Sequence, residues 1–96
     1  MNNKSESKFI ARELTILNQY GIHARPAALF VKAASRYDAD IYVEKDGNRV
    51  SGKSIMGLMT LEASKGSTIR VTAEGVDAEE AITELQALVE SKFDEE

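Results

Sequence analysis

The chain has 96 residues, of which 43% are hydrophobic and 29% are charged, and its formal net charge is −4. This size permits one small domain with a single core, and the composition excludes a chain that is disordered throughout. With no cysteine and one histidine, the sequence lacks the ligands of a disulfide framework or a usual zinc site, so we expect no metal and no cofactor.

The N-terminal residues 1–8 are polar and carry no apolar stretch typical of a secretion signal. No apolar run in the chain reaches the length that spans a membrane. We therefore predict a flexible tail over residues 1–8, a single domain over residues 9–96, a cytoplasmic location and no insertion into a membrane.

The first predicted element is a strand over residues 10–17, where Ile10, Leu14 and Ile16 alternate with polar residues. Residues 18–21 form a loop that leads into a helical pattern. The apolar stripe of this first helix, predicted over residues 24–36, consists of Ala27, Phe30, Val31 and Ala34.

Residues 21–27 hold the only histidine and the only proline of the chain, His23 and Pro26, around Arg25. Pro26 fits the first turn of a helix because it has no amide hydrogen that needs an acceptor. With His23 as the N-cap, the N–H groups of Ala24 and Arg25 point outward at the positive helix end, where phosphate binds well. A neutral imidazole is a competent nucleophile toward phosphorus. We interpret His23 as a phosphoryl acceptor; the alternative is a histidine that only caps the helix or lies on the surface.

After the first helix, the pattern predicts a strand over residues 40–44, a hairpin turn at Asp46-Gly47 and a short edge strand over residues 48–51. Ser54 then caps a short second helix. Its apolar residues are too many for one narrow stripe: Ile55, Met56, Leu58, Met59 and Leu61. Either Ile55, Met56 and Met59 form an exposed patch for a protein contact, or all five residues are buried in an apolar corner.

The last elements are a strand over residues 68–74 and a long amphipathic helix, for which Asp77 is the predicted capping residue with Glu80 three positions later. The element order is βαββαβα. Strands with one apolar face and helices with one apolar stripe fit an α+β fold, an open-faced two-layer β-sandwich with a four-stranded antiparallel sheet and three helices on one face.

Charge is unevenly distributed along the chain, because the last twenty residues are strongly acidic. A basic patch is predicted nearer the histidine, formed by Arg25, Lys32, Arg49 and Lys53. Such a patch suits an acidic protein partner better than nucleic acid, which would require more positive charge and exposed aromatic rings.

With these elements in place, the sequence resembles the HPr family of histidine phosphocarriers of the phosphoenolpyruvate-dependent sugar phosphotransferase system. The resemblance is carried by residues 21–27 around the histidine and by Lys53-Ser54-Ile55-Met56-Gly57 around the family's regulatory serine, and it covers residues 9–93. It implies that Enzyme I phosphorylates His23 at Nδ1, that Arg25 supports the phosphohistidine, and that IIA proteins or domains receive the group.

The resemblance also implies regulatory and docking residues. Ser54 matches the serine that an HPr kinase/phosphorylase modifies in many bacteria, with a transcriptional regulator as a further partner. The residues that match the family's partner-binding surface are Ala24, Ala28, Lys32, Ile55, Met56 and Met59. We expect a monomer that carries a phosphoryl group without turnover of its own.

Three alternatives stay open at this point. Tyr20, Leu29, which we expect to face away from the core, and the run of residues 52–59 are also similar to the nitrogen-related HPr paralogues, which serve a regulatory chain. A regulatory binding module controlled by Ser54 is the second function. A small hydrolase is disfavoured, because the sequence shows no acid or base fixed beside His23.

Overall fold

The computed structural model describes residues 7–95. The predicted tail, residues 1–8, lies outside the described residues except for Ser7 and Lys8, and Lys8 is already part of the first strand. The elements in chain order are β1 (Lys8–Thr15), α1 (Ala24–Ala34), β2 (Asp40–Lys45), β3 (Asn48–Ser51), α2 (Ile55–Thr60), β4 (Thr68–Gly75), α3 (Ala78–Glu90) and a C-terminal turn (Lys92–Asp94).

The four strands form one antiparallel sheet in the order β1-β4-β2-β3. Strand alternation directs Val43 and Val71, which are paired in the register, to the side on which both are fully buried. Helix α3 packs on β1 and β4, while α1 contacts α2 and α3. The core lies between the sheet and the helices, which confirms the predicted α+β fold with β3 at one edge.

The structure shifts several predicted boundaries. Strand β1 ends at Thr15 rather than at Leu17, although Ile16 is fully buried and exchanges backbone hydrogen bonds with Gly66 and Ser67. Helix α1 ends at Ala34 rather than at residue 36, because the amides of Arg36 and Tyr37 bond to carbonyls three residues back in a tightening turn. Leu29 was expected to face away from the core, and this is wrong: it is partly buried and packs against the core.

The prediction that the Asp77 side chain caps α3 is also wrong. Asp77 occupies the N-cap position, but its side chain makes no capping hydrogen bond. Its two carboxylate oxygens accept instead from the backbone N–H groups of Asp38 at 2.8 Å and Ala39 at 2.9 Å. Asp77 therefore fixes the loop before β2 to the start of α3, a contact between segments too distant in sequence for a local pattern to reveal.

The predicted basic patch around the histidine is only partly present. The Arg49 guanidinium lies 3.7 Å from the ring centroid of Tyr42, on the open face of the sheet. Lys53 donates a hydrogen bond at 2.7 Å to the carbonyl oxygen of Tyr37, beyond the C-terminal end of α1, whereas His23 lies at the N-terminal end of that helix.

Within residues 7–95, no helix is long and apolar enough to span a membrane.

Candidate functional site

The N-terminal end of α1 has the arrangement that the sequence predicts. His23 is the N-cap residue, its backbone is extended, and its carbonyl accepts from the N–H of Ala27 at 3.0 Å. The imidazole makes no capping bond to the helix. Helix geometry leaves the N–H groups of Ala24 and Arg25 without intrahelical acceptors, and both residues are exposed. The end of the helix is therefore open to an anion.

The loop before α1 is held rigidly against a second loop. Gly21 has φ +67°, and a Cβ built on it would lie 2.3 Å from the carbonyl oxygen of Ala63 and 2.8 Å from Cα of Ser64. The next residue, Ile22, donates its N–H to the same Ala63 carbonyl at 2.9 Å. Only glycine fits this close approach, and the approach sets where His23 leaves the loop.

The histidine ring has a carboxylate partner that the sequence did not reveal. His23 Nε2 lies 3.0 Å from Oε2 of Glu95, a residue 72 positions away. The His23 side chain is 42% exposed and that of Glu95 only 15%. Tyr20 lies edge-on to the imidazole, with ring centroids 6.4 Å apart. The expectation that no acid or base is fixed beside His23 is thus wrong.

The side chain of Asn18 connects the loop before α1 to the Glu95 carboxylate. Its Nδ2 donates to the Gly21 carbonyl at 2.7 Å and to Oε1 of Glu95 at 2.9 Å. The side chain is fully buried, and the backbone carbonyl, which can only accept, fixes the orientation of the amide. An asparagine three residues before a glycine is the only signal that could have pointed to this residue.

The C-terminal turn places the Glu95 side chain next to the His23 ring. Lys92, Phe93 and Asp94 have φ values of 60°, 55° and 57°, a left-handed run that is rare for residues with a Cβ. Phe93 is 1% exposed and belongs to the core. Burial of this aromatic ring offsets the cost of the left-handed backbone, and the turn reverses the chain after α3 toward His23.

Arg25 follows His23 by two residues in the chain, and its side chain is not engaged by the rest of the described protein. The side chain is exposed, and its guanidinium makes no ion pair within residues 7–95. Together with Gln19, Tyr20 and Glu95, it lines a pocket of about 250 Å³. Within residues 7–95, no three or more acidic or histidine side chains lie close enough together to hold a metal ion.

The structure of helix α2 decides whether its apolar residues form an exposed patch or are all buried. Ser54 is the N-cap, and its Oγ accepts from the N–H of Gly57 at 3.0 Å. Leu58 and Leu61 are buried. The other three form an exposed apolar patch, with relative exposures of 40% for Ile55, 74% for Met56 and 39% for Met59. The first of the two alternatives, an exposed patch, is therefore confirmed, and its role in binding a partner stays a prediction.

Helix α1 contacts α2, so the exposed residues of both helices belong to neighbouring surfaces. The predicted docking residues of α1, which are Ala24, Ala28 and Lys32, are all exposed. The structure therefore combines the open helix end, the small and basic residues along α1, and the apolar patch of α2 on adjacent elements.

Comparisons with known proteins agree on one family. Residues 10–91 match the family model of the PTS HPr component phosphorylation site. The chain is 44% identical over 87 residues to the phosphocarrier protein HPr of Treponema pallidum, covering 91% of this chain and 99% of the relative. It is 45% identical over 83 residues to the HPr-like protein Crh of Halalkalibacterium halodurans, covering 86% and 99%. The crystal structure of HPr-C-His from Thermoanaerobacter tengcongensis superposes with a TM-score of 0.87 at 52% identity, covering 91% and 98%.

We predict that Gly21→Ala destabilises the protein far more than Gly47→Ala. Both glycines have positive φ, but a Cβ at Gly47 meets no atom within 4 Å, whereas at Gly21 it collides with backbone. Urea unfolding should show a loss of about 3 kcal/mol or more for Gly21→Ala and about 1 kcal/mol for Gly47→Ala. Equal losses would mean that the loop before His23 can move away from Ala63.

Proposed function

Because this chain belongs to the HPr family of phosphocarrier proteins, we propose that it accepts a phosphoryl group on His23 from phosphorylated Enzyme I. In this proposal phosphoenolpyruvate is the original donor, and IIA proteins or domains of the phosphotransferase system receive the group. The chain acts in the cytoplasm as a monomer and has no turnover of its own.

The observation that carries this proposal is the position of His23 at the open end of α1. The ring is half-exposed, and its contact with Glu95 uses Nε2. Within residues 7–95, Nδ1 has no hydrogen-bond partner. In the proposed transfer, the Nδ1 lone pair forms a bond to phosphorus while the bond between phosphorus and its donor group on Enzyme I breaks.

The neighbours of His23 supply groups that favour a phosphoryl dianion. The N–H groups of Ala24 and Arg25 lie at the positive end of the α1 dipole, and the Arg25 guanidinium is free to turn toward the new charge. Stabilisation by amide groups and one cation does not itself activate water. The carrier therefore holds the group, and the partner enzymes supply the in-line geometry of transfer.

The docking surface in this proposal is formed by the exposed residues of α1 and α2. Ala24 and Ala28 have side chains small enough for a partner to approach the backbone closely, and Lys32 adds a positive charge. The apolar patch of Ile55, Met56 and Met59 supplies the hydrophobic part of the contact. Its flexible methionine side chains suit a surface that binds several partners in turn.

A regulatory role through Ser54 is the second candidate. The Ser54 side chain caps α2 directly before the apolar patch. A phosphate on Ser54 would add about −1.5 to −2 charge at that border. In this reading, an HPr kinase/phosphorylase modifies Ser54, and the modified protein binds a transcriptional regulator or serves a nitrogen-related regulatory chain.

The carrier function is tested by incubating the protein with phosphoenolpyruvate and Enzyme I of the same organism and measuring intact mass before and after acid treatment. We expect one acid-labile phosphate on the wild type and on Ser54→Ala, and none on His23→Ala. Incorporation into His23→Ala would show that another residue carries the group. No incorporation into any folded variant with active Enzyme I would contradict the proposal and favour the Ser54 regulatory module.

For the regulatory site, we predict that Ser54→Asp accepts phosphate from Enzyme I about tenfold more slowly than wild type, because a negative charge borders the apolar docking patch. Asparagine caps a helix as well as aspartate does, so Ser54→Asn is the neutral control and should transfer at the wild-type rate. The initial labelling rate at limiting Enzyme I measures this. Equal rates for the Asp and Asn variants would remove the electrostatic basis for regulation at Ser54.

A further inference from the structure

The carboxylate of Glu95 lies within hydrogen-bond distance of two side chains. Oε1 accepts from the buried Asn18 at 2.9 Å, and Oε2 lies 3.0 Å from Nε2 of His23. An ionised carboxylate can only accept. In the neutral imidazole, the nitrogen that faces Glu95 must therefore carry the proton, which leaves the lone pair on Nδ1.

Contacts of its backbone, its carboxylate and a near neighbour in the chain hold Glu95 in this position. Phe93 anchors the C-terminal turn in the core, and the N–H of Glu95 donates to the carbonyl of Lys92 at 3.1 Å. The Asn18 amide, fixed by its bond to Gly21, holds the other carboxylate oxygen. With its side chain only 15% exposed, Glu95 is shielded from the solvent that weakens a surface ion pair.

We propose that Glu95 is a positioning residue for the phosphoryl carrier: with Asn18 behind it, it holds the proton on Nε2 of His23 so that Nδ1 is the nucleophile. This inference rests on the proposed carrier function of His23. It assigns to the C-terminal turn a role in the chemistry, through the tautomer and orientation of the ring, as a buried carboxylate does for a catalytic imidazole.

The same contact has a consequence once the phosphoryl group is attached. When Nδ1 bonds to phosphorus and Nε2 keeps its proton, the ring carries a positive charge that the Glu95 carboxylate balances. When the group moves on, the N–P bond breaks, its electron pair returns to Nδ1, and the ring leaves as neutral imidazole with the proton still on Nε2. No proton has to enter or leave the ring in either direction.

A glutamine at position 95 gives a sharp test because its amide has one acceptor and one donor end. The Asn18 Nδ2 is buried, and a buried donor without an acceptor is costly, so Asn18 takes the glutamine carbonyl oxygen. The glutamine NH₂ then faces His23 Nε2, which must accept. Glu95→Gln should thus move the ring proton from Nε2 to Nδ1 and block the nucleophile.

The experiment records long-range ¹H–¹⁵N correlations of the imidazole in untagged, unphosphorylated protein at a pH where the ring is neutral. Because the chain has one histidine, the pattern is unambiguous. We expect protonated Nε2 in the wild type, protonated Nδ1 in Glu95→Gln, and a mixture of tautomers in Glu95→Ala. Asp94→Asn is the matched control, since it removes the neighbouring exposed charge and should keep the wild-type tautomer.

The initial rate of labelling by Enzyme I, measured on the same variants, connects the tautomer to the transfer. We expect a loss of about tenfold for Glu95→Gln and the wild-type rate for Asp94→Asn. The same tautomer in wild type and Glu95→Gln, or unchanged labelling despite a changed tautomer, would overturn the role of Glu95 and leave the carrier function standing. A wild type that shows the expected tautomer but takes no label would overturn the carrier function instead, because the tautomer measurement needs no Enzyme I.

Discussion

One buried amide group connects the parts of the chain that surround the histidine. The Nδ2 atom of Asn18 has two hydrogens, and it uses them on the Gly21 carbonyl before α1 and on the Glu95 carboxylate after α3. Its own Oδ1 is buried and has no partner among residues 7–95, a cost of about 1–3 kcal/mol. The bond to an ionised carboxylate, stronger than a neutral one, offsets part of that cost. This amide and the contact between Glu95 and His23 together join the loop before α1 to the C-terminal turn.

The geometry fits the proposed role of a small chain that holds a phosphoryl group without hydrolysing it. The ring is presented at a rigid helix end that offers amide groups and a guanidinium to an anion. The surrounding exposed surface is suited to contact with another protein. In the proposed function, chemistry that requires in-line approach and exclusion of water is left to the complex with a partner.

Sequence patterns were sufficient for the fold and for the helix cap at which His23 lies. Alternation and helical periodicity depend on which face is buried, and they located all four strands and the three helices. They left open whether the apolar residues of α2 are exposed. His23 and Ser54 were correctly placed at the N-caps of α1 and α2, because a cap position depends on neighbouring residues, which is local information. The patterns failed where a side chain serves a distant segment, as Asp77 does for the loop before β2 and Glu95 for His23. The prediction that Arg49 belongs to a basic patch near His23 was wrong for a related reason. Strand register places Arg49 on the open face of the sheet, next to Tyr42, and register cannot be read from a local pattern.

The measurement that tests the account most directly is the position of the phosphoryl group on the ring. Protein labelled with ¹⁵N and phosphorylated through Enzyme I should show coupling between phosphorus and Nδ1 of His23, with the proton on Nε2 and Glu95 beside it. Coupling to Nε2 would contradict the account, because the group would then occupy the place that Glu95 and Asn18 hold in this structure.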